Sequence, residues 1–307
     1  MTAASETPIL AIDIGGTKIA FATVTAGQLS NRRQIPTPRT GRGADLVAAI
    51  SREIGGFPDH HRMAIATTGI VREGRLTALN PQTLSIENDF PLAAAIEHVA
   101  GTRPVLVNDA QAAAWGEYRF GTGQGCLNFA FVTISTGIGA GIVANGRLVV
   151  GTNGLAGHLG HIVTDSSGES CGCGRRGCLE TVASGSALAR RGGAILRRTL
   201  SAPELFVEAA SGNDRANAVL TEAAENIALA FGNLAATCDI DRIALGGGVG
   251  LADGFIDRVR SAVRRLPAMF QRELCLAAAG ADAGLLGVAD LACHEPFWRN
   301  FPSQNFC

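Results

Sequence analysis

The sequence predicts an α/β protein of two domains with a cleft between them, and three observations carry that prediction. The chain has 307 residues, more than one ordinary core encloses. It is 47% hydrophobic and 17% charged with 39 glycines, a balance suited to tight turns and close backbone approaches. A pattern of strand, glycine turn and strand near its start recurs near its middle.

Taken in order, ILAIDI at 9–14 is a short apolar run that stops at Gly15-Gly16, and IAFATVT resumes with β-branched and aromatic residues, predicting a hairpin. After the Pro36-Thr37-Pro38 break, ADLVAAISREI carries apolar residues at helical spacing, and RMAIATTG reads as a buried strand ending at Gly69. PLAAAIEHVAG predicts a helix closed by glycine, PVLVN a strand, and DAQAAAWGEYRFG a helix entered through an N-capping Asn108 or Asp109. CLNFAFVTI, IGAGIVANG and RLVVG predict three further strands, with Asn145-Gly146 as a hairpin turn. Residues 216–236 predict one long helix, DRIALGGGV a strand running into a glycine turn, and ADAGLLGVADLA a closing helix.

The net charge is −1 and the basic residues form no long run, which argues against nucleic acid or anionic lipid as a partner. The opening MTAASETP lacks the features of a signal peptide, and no apolar run approaches the ~18 residues of a spanning helix, so the expectation is a cytoplasmic protein. In that setting the clustered Cys171, Cys173 and Cys178 suggest metal binding rather than disulfides.

Asp13-Ile14-Gly15-Gly16-Thr17-Lys18 lies between two predicted strands, where its backbone N–H groups can curl around phosphate oxygens and Asp13 can orient magnesium through water. Most Gly-Gly turns merely connect strands, so this motif alone leaves both readings open. Ser135-Thr136-Gly137-Ile138-Gly139 repeats the design, with Thr136, Gly137 and Gly139 offered to the same anion. A third glycine stretch containing Gly247 and Gly248 follows a strand and would admit adenine and ribose. None matches the usual P-loop or dinucleotide-binding spacing.

His161, Cys171, Cys173 and Cys178 form H-x9-C-x-C-x4-C, one nitrogen and three thiolates able to fill the four positions of a tetrahedral ion. Zinc suits that set, and with no position left for water it would be structural. Buried free thiols are the other reading.

DIGGTK, LVNDAQAAAWGE, STGIGAGIV, GHLGH, CGCGRRGCLE and LGGGVG, in this order and across nearly the whole chain, resemble the ROK family of bacterial sugar kinases. The resemblance implies the actin-like ATPase (ribonuclease H-like) fold with nucleotide and sugar in a cleft between domains. It also implies ATP with Mg2+ as cofactor, structural Zn2+, and a homodimer. The expected division is 1–110 plus 283–307 as a smaller domain, and 111–282 as a larger one carrying the zinc.

By the same resemblance Asp109 matches the catalytic aspartate, although from the sequence alone it could simply cap its helix. Asn108 would bond a neighbouring sugar hydroxyl, Glu180 matches a substrate-contacting glutamate, and Gly69 a backbone contact near the sugar. Glu180 could equally be a solvated helix-start residue, and Gly69 a strand end. His158 departs from the E-x-G-H of ROK glucokinases; with His161 it gives the GHxGH shared by bacterial N-acetylmannosamine kinases. Asn80-Pro81 also resembles that subgroup, while Asn-Pro is an ordinary turn dipeptide as well.

The implied activity is ATP-dependent phosphorylation of N-acetylmannosamine, or a similar amino sugar, at O6 within sialic acid breakdown. Alternatives are another ROK hexokinase acting on glucose or N-acetylglucosamine, and a non-catalytic sugar-sensing ROK protein. A DNA-binding repressor is disfavoured because only eight residues precede the first strand.

Overall fold

The structure is a computed structural model and describes residues 7–57, 62–79 and 83–294. They fall into two compact units: residues through Gly121 with Arg147–Ala156 and those from Ala281 onward, and Thr122–Gly146 with Gly157–Gly280.

In the first unit, β1 (Ile9–Ile14), β2 (Lys18–Thr25) and β3 (Gln28–Pro36) form an antiparallel meander. Helix α1 (Gly43–Ile54) leads to β4 (Arg62–Thr67), which lies parallel to β1 in the register Asp13 to Ala66. The small hairpin of β5 (Ile70–Arg72) and β6 (Arg75–Thr77) precedes α2 (Leu92–Ala100), whose cap Gly101 sits at φ 69° in the left-handed region that glycine tolerates. β7 (Val105–Asn108) then pairs parallel with β4 and passes directly into α3 (Asp109–Phe120). The sheet order is β3-β2-β1-β4-β7. Its core contains Ile12, Ile14, Phe21, Ile50, Ile65 and Ile96, all fully buried. The segment Arg147–Ala156, opening with the short strand β10 (Arg147–Leu148), also belongs here.

The second unit opens with β8 (Phe129–Ile134) and β9 (Ile138–Ala144), antiparallel like β1 and β2. Its helices are α4 (Leu179–Ala183), α5 (Gly185–Leu196), α6 (Ala202–Ala210) and α7 (Asp214–Cys238). Then come β11 (Arg242–Gly246), α8 (Gly247–Gly250), α9 (Phe255–Val263) and β12 (Glu273–Leu276). β8 pairs parallel with β11, and β11 parallel with β12. The run β9-β8-β11-β12 thus repeats β2-β1-β4-β7 in order and direction.

Helix α10 (Ala283–Cys293) returns to the first unit and packs on α3. A Cβ at Gly287 would come within 1.8 Å of Ala112 O, and one at Gly116 within 2.1 Å of Ala283 O, so the two backbones meet with no side chain between them. Beside the crossing, the Trp115 indole N–H donates to Asp290 Oδ2 at 2.7 Å, and Arg119 pairs with the same buried carboxylate. This packing places 111–121 with the first unit, whereas the sequence boundary at 110 would have cut α3 after its second residue. The expected return at 283 lies two residues after the observed one.

Two further readings need correction. RLVVG forms a strand only at Arg147–Leu148, and the glycine turn expected after β11 is a turn of helix. Gly247 starts that turn at φ 80°, where a Cβ would sit 2.4 Å from Ile134 O.

Candidate active site and metal centre

The junction of β7 and α3 sets the carboxylate at 109. Asn108 is the cap: its Oδ1 accepts from the N–H groups of Ala110 (3.0 Å) and Gln111 (3.2 Å). Its side-chain amide donates to Gly69 O at 3.0 Å, so two of the predicted residues are bonded to each other. Gly69 lies at φ 102°, and a Cβ there would meet Thr77 O at 2.7 Å, which explains the glycine. With the capping role taken by Asn108, Asp109 is released from it and holds a half-buried position at the head of the helix, accepting one N–H from Ala110 at 2.8 Å. Burial raises its carboxyl above the usual range, opposed by N–H donors from Ala110, its own backbone and Asn108.

Asp13 lies near the end of β1, two strands away in the same sheet, and feels Asp109 electrostatically. Burial, helped by the charges of Asp109 and Asp282 and opposed by Lys18, pushes the Asp13 carboxyl up to about 7. Facing it is Gly284 at the start of α10; a Cβ there would lie 3.1 Å from Asp13 Oδ2. The turn after Asp13 is closed by the Gly15 N–H donating to Lys18 O at 3.0 Å, with Thr17 and Lys18 exposed. At Gly16 a Cβ would meet Thr83 O at 2.4 Å. Two acids at the ends of β1 and β7, with β4 between them, beside a glycine turn, make a cation-attracting corner.

In the second unit the β8–β9 turn exposes Ser135 and Thr136, while Gly137 and Gly139 are half-buried. His158 and His161 flank one turn of 3-10 helix, their rings stacked at 6.3 Å between centroids and 19° between planes. His161 Nδ1 lies 3.6 Å from Cys171 Sγ, and Cys173 Sγ lies 3.7 Å from Cys178 Sγ. The four ligand atoms all fall within 4.8 Å of one another. A tetrahedral zinc with Zn–S near 2.3 Å has ligand separations of about 3.8 Å, so the donor set fits such an ion. Burial pushes the Cys178 thiol up to about 12, so forming its thiolate calls for a compensating cation.

The hairpin carrying these cysteines depends on Gly177, at φ 67°, where a Cβ would fall 1.4 Å from Asp165 O. Glu180 follows on the first turn of α4, half-buried. Gly247 and Gly248 begin α8, while Asn80 lies outside the described residues.

Gln111 was not singled out from the sequence. It is 1% exposed, and its Nε2 donates to Ala156 O at 2.9 Å, tying the helix headed by Asp109 to the segment that runs into His158. An amide two residues after an acidic helix start, amid alanines, was the available signal.

Comparison with known proteins matches residues 9–295 to the ROK family. The chain is 46% identical over 286 residues to an N-acetylmannosamine kinase of Yersinia pestis, covering 91% of this chain and 96% of that one. Among solved structures it is similar to a ROK hexokinase from Thermus thermophilus, with TM-score 0.84 and 31% identity over 94% of this chain and 99% of that one. It is also similar to a ROK family glucokinase from Streptomyces griseus in complex with glucose and AMPPNP, with TM-score 0.78, 32% identity and the same coverage. The repeated sheets and these likenesses establish the two-domain actin-like ATPase fold. Among the described residues no helix is long and apolar enough to cross a membrane.

Proposed function

The chain belongs to the ROK family, and on that premise we propose that it is an ATP-dependent kinase that phosphorylates O6 of N-acetylmannosamine. The observation that carries this reading is its 46% identity to a kinase of that name along almost the full length of both chains.

Asp109 is the base in this scheme. As the sugar's primary oxygen forms its bond to the γ-phosphorus, the bond from that phosphorus to the β–γ bridging oxygen breaks, ADP leaves, and Asp109 takes the hydroxyl proton. Its raised carboxyl brings its proton affinity nearer to neutral pH, which improves it as an acceptor. Asn108, its amide shared between Gly69 O and the Asp109 carboxylate, would contact a neighbouring sugar hydroxyl. Gly69, Asn80, His158, His161 and Glu180 complete the sugar contacts.

The turns at Gly15, Gly16, Thr17 and Lys18 and at Thr136, Gly137 and Gly139 hold the phosphates, with Gly247 and Gly248 beside the nucleoside. Bound Mg2+ would neutralise phosphate charge, with Asp13 as its protein anchor. Zn2+ on His161, Cys171, Cys173 and Cys178 would be structural, because four protein ligands leave no place for a reacting water. We assign the enzyme to the cytoplasm, as a homodimer, in sialic acid breakdown.

The likeness to a hexokinase and a glucokinase supports a second reading, in which the substrate is glucose. His158 separates the two, since an imidazole both donates and accepts where a carboxylate only accepts. A coupled assay with ATP and magnesium across N-acetylmannosamine, N-acetylglucosamine and glucose is the test. The expected result is the highest kcat/KM on N-acetylmannosamine, with His158→Glu lowering its ratio to glucose by about tenfold. A parent enzyme that prefers glucose overturns the substrate assignment.

A further inference from the structure

Glu180 has a bond that a purely sugar-contacting carboxylate would not need. The backbone N–H of Ile138 donates to its Oε2 at 3.0 Å. That N–H belongs to the turn between β8 and β9, at the residue after Gly137. A Cβ at Gly137 would lie 2.7 Å from the same Oε2, and its other close approach within 4 Å is to the Glu180 carboxyl carbon at 3.6 Å. The glycine at 137 is therefore explained by the carboxylate: its space is occupied by Glu180 and by nothing else nearby.

The contact is one of several between the same two stretches. The Gly185 N–H donates to Ser135 O at 2.7 Å and the Ser186 N–H to Thr136 O at 3.2 Å, while the Ser135 N–H closes the turn onto Gly137 O at 2.9 Å. Every residue of the turn from 135 to 138 is thus bonded to the stretch 180–186 or closes on itself. The other end of that stretch leads straight to the candidate metal. Cys178 precedes α4, forms an isolated bridge with Val163, and is followed by Leu179, whose N–H donates to Ile162 O at 2.8 Å, next to His161. Cys178 is therefore two residues before the segment that holds the turn, and His161 is next to the residue that pairs with Leu179.

We infer that Glu180 is a positioning residue for the nucleotide, joining the metal-bearing hairpin to the 135–138 turn through the Ile138 N–H. The inference rests on the reading of that turn as a phosphate loop. It gives the two carboxylate oxygens different tasks: Oε2 orders the turn, and Oε1 serves a sugar hydroxyl. Nucleotide affinity then depends on Glu180, and through it on the metal, when no sugar is present.

Calorimetric titration of ADP with magnesium into the zinc-loaded protein, without sugar, tests this. Glu180→Ala removes a charged acceptor from a partly buried N–H and is expected to weaken ADP binding by about tenfold. Glu180→Gln keeps an acceptor oxygen and should stay within about threefold of the parent. Gly137→Ala should also weaken ADP binding, because the new methyl displaces the flexible carboxylate rather than any backbone. The pair should not be additive: Glu180→Ala/Gly137→Ala is expected to bind ADP no worse than Glu180→Ala, since the methyl then has nothing to displace. Chelation of the metal should weaken ADP in the parent more than in Glu180→Ala.

A Glu180→Ala variant that binds ADP within twofold of the parent while its sugar KM rises would overturn the inference and leave Glu180 as a sugar contact only. Additive losses in the double variant would do the same, by separating Gly137 from Glu180. Failure to phosphorylate N-acetylmannosamine would count against the substrate assignment alone, because these titrations contain no sugar.

Discussion

The two glycine turns occupy equivalent places in two sheets of the same order, yet they are supported in opposite ways. The turn after β1 is flanked by charge: Asp13 before it, Lys18 after it, and Asp109 at the end of β7, two strands along the same sheet. The turn after β8 contains no charged residue and is held from outside by Glu180 and the backbone from 185 to 186. Beside the first lies α10, whose Gly284 faces Asp13, and the second is joined through α4 to a short hairpin with four side chains that could hold a metal ion. One topology thus supports an electrostatic corner in one unit and an externally ordered turn in the other. The duplicated sheet specifies where a turn goes, and the elements packed behind it specify what the turn can do.

Metal removal is the harshest test of that contrast. Stripping the ion, or Cys173→Ser, is expected to lower the melting temperature of the second unit by roughly 10 °C or more. Hydrogen exchange should speed up across 135–139 and 157–186 while the amides of β1, β2 and β4 keep their protection. Equal loss in both units would break the contrast.

A change confined to the charged corner comes next. Asp109→Asn is expected to reduce kcat by about 10²–10⁴-fold, the usual contribution of a general base, while sugar affinity by calorimetry moves by less than about threefold. Unchanged turnover would remove Asp109 from the chemistry and return it to a helix-start role.

The smallest expected effect is on stability against pH. Asp13 titrates near 7 in the folded chain against an ordinary 3.8, so between those values the folded state holds a proton that the unfolded state has lost. Stability therefore falls as pH rises from about 4 to 7 and levels off above. Asp13→Asn carries no such penalty, so its melting temperature, measured without magnesium, should gain on the parent by roughly 2–5 °C over that range. A gain that shrinks with rising pH would show the shift to have the wrong sign.

Much of this was legible in the sequence because it is written in local chemistry. Hairpins announce themselves by glycine turns between β-branched runs, and Asn145-Gly146 adopts φ 51° and 71° as such a turn demands. The candidate metal set was legible because its members fall within eighteen residues. Gln111 and the Ile138–Glu180 bond were not, since each joins positions about forty residues apart and depends on tertiary packing. The small elements β5, β6, β12 and α6 carried too little periodicity to stand out, and α3 was divided wrongly because its partner α10 lies more than 160 residues further on.

That crossing of α3 and α10 has a last consequence. Where helices meet through side chains, substitution can loosen or tighten the joint by the width of a methylene. Here backbone meets backbone, so α3, headed by Asp109, is held close against α10, whose Gly284 faces Asp13. A side chain at either Gly116 or Gly287 would push the two helices apart, so the alignment of the helix bearing Asp109 rests on those two residues keeping no Cβ.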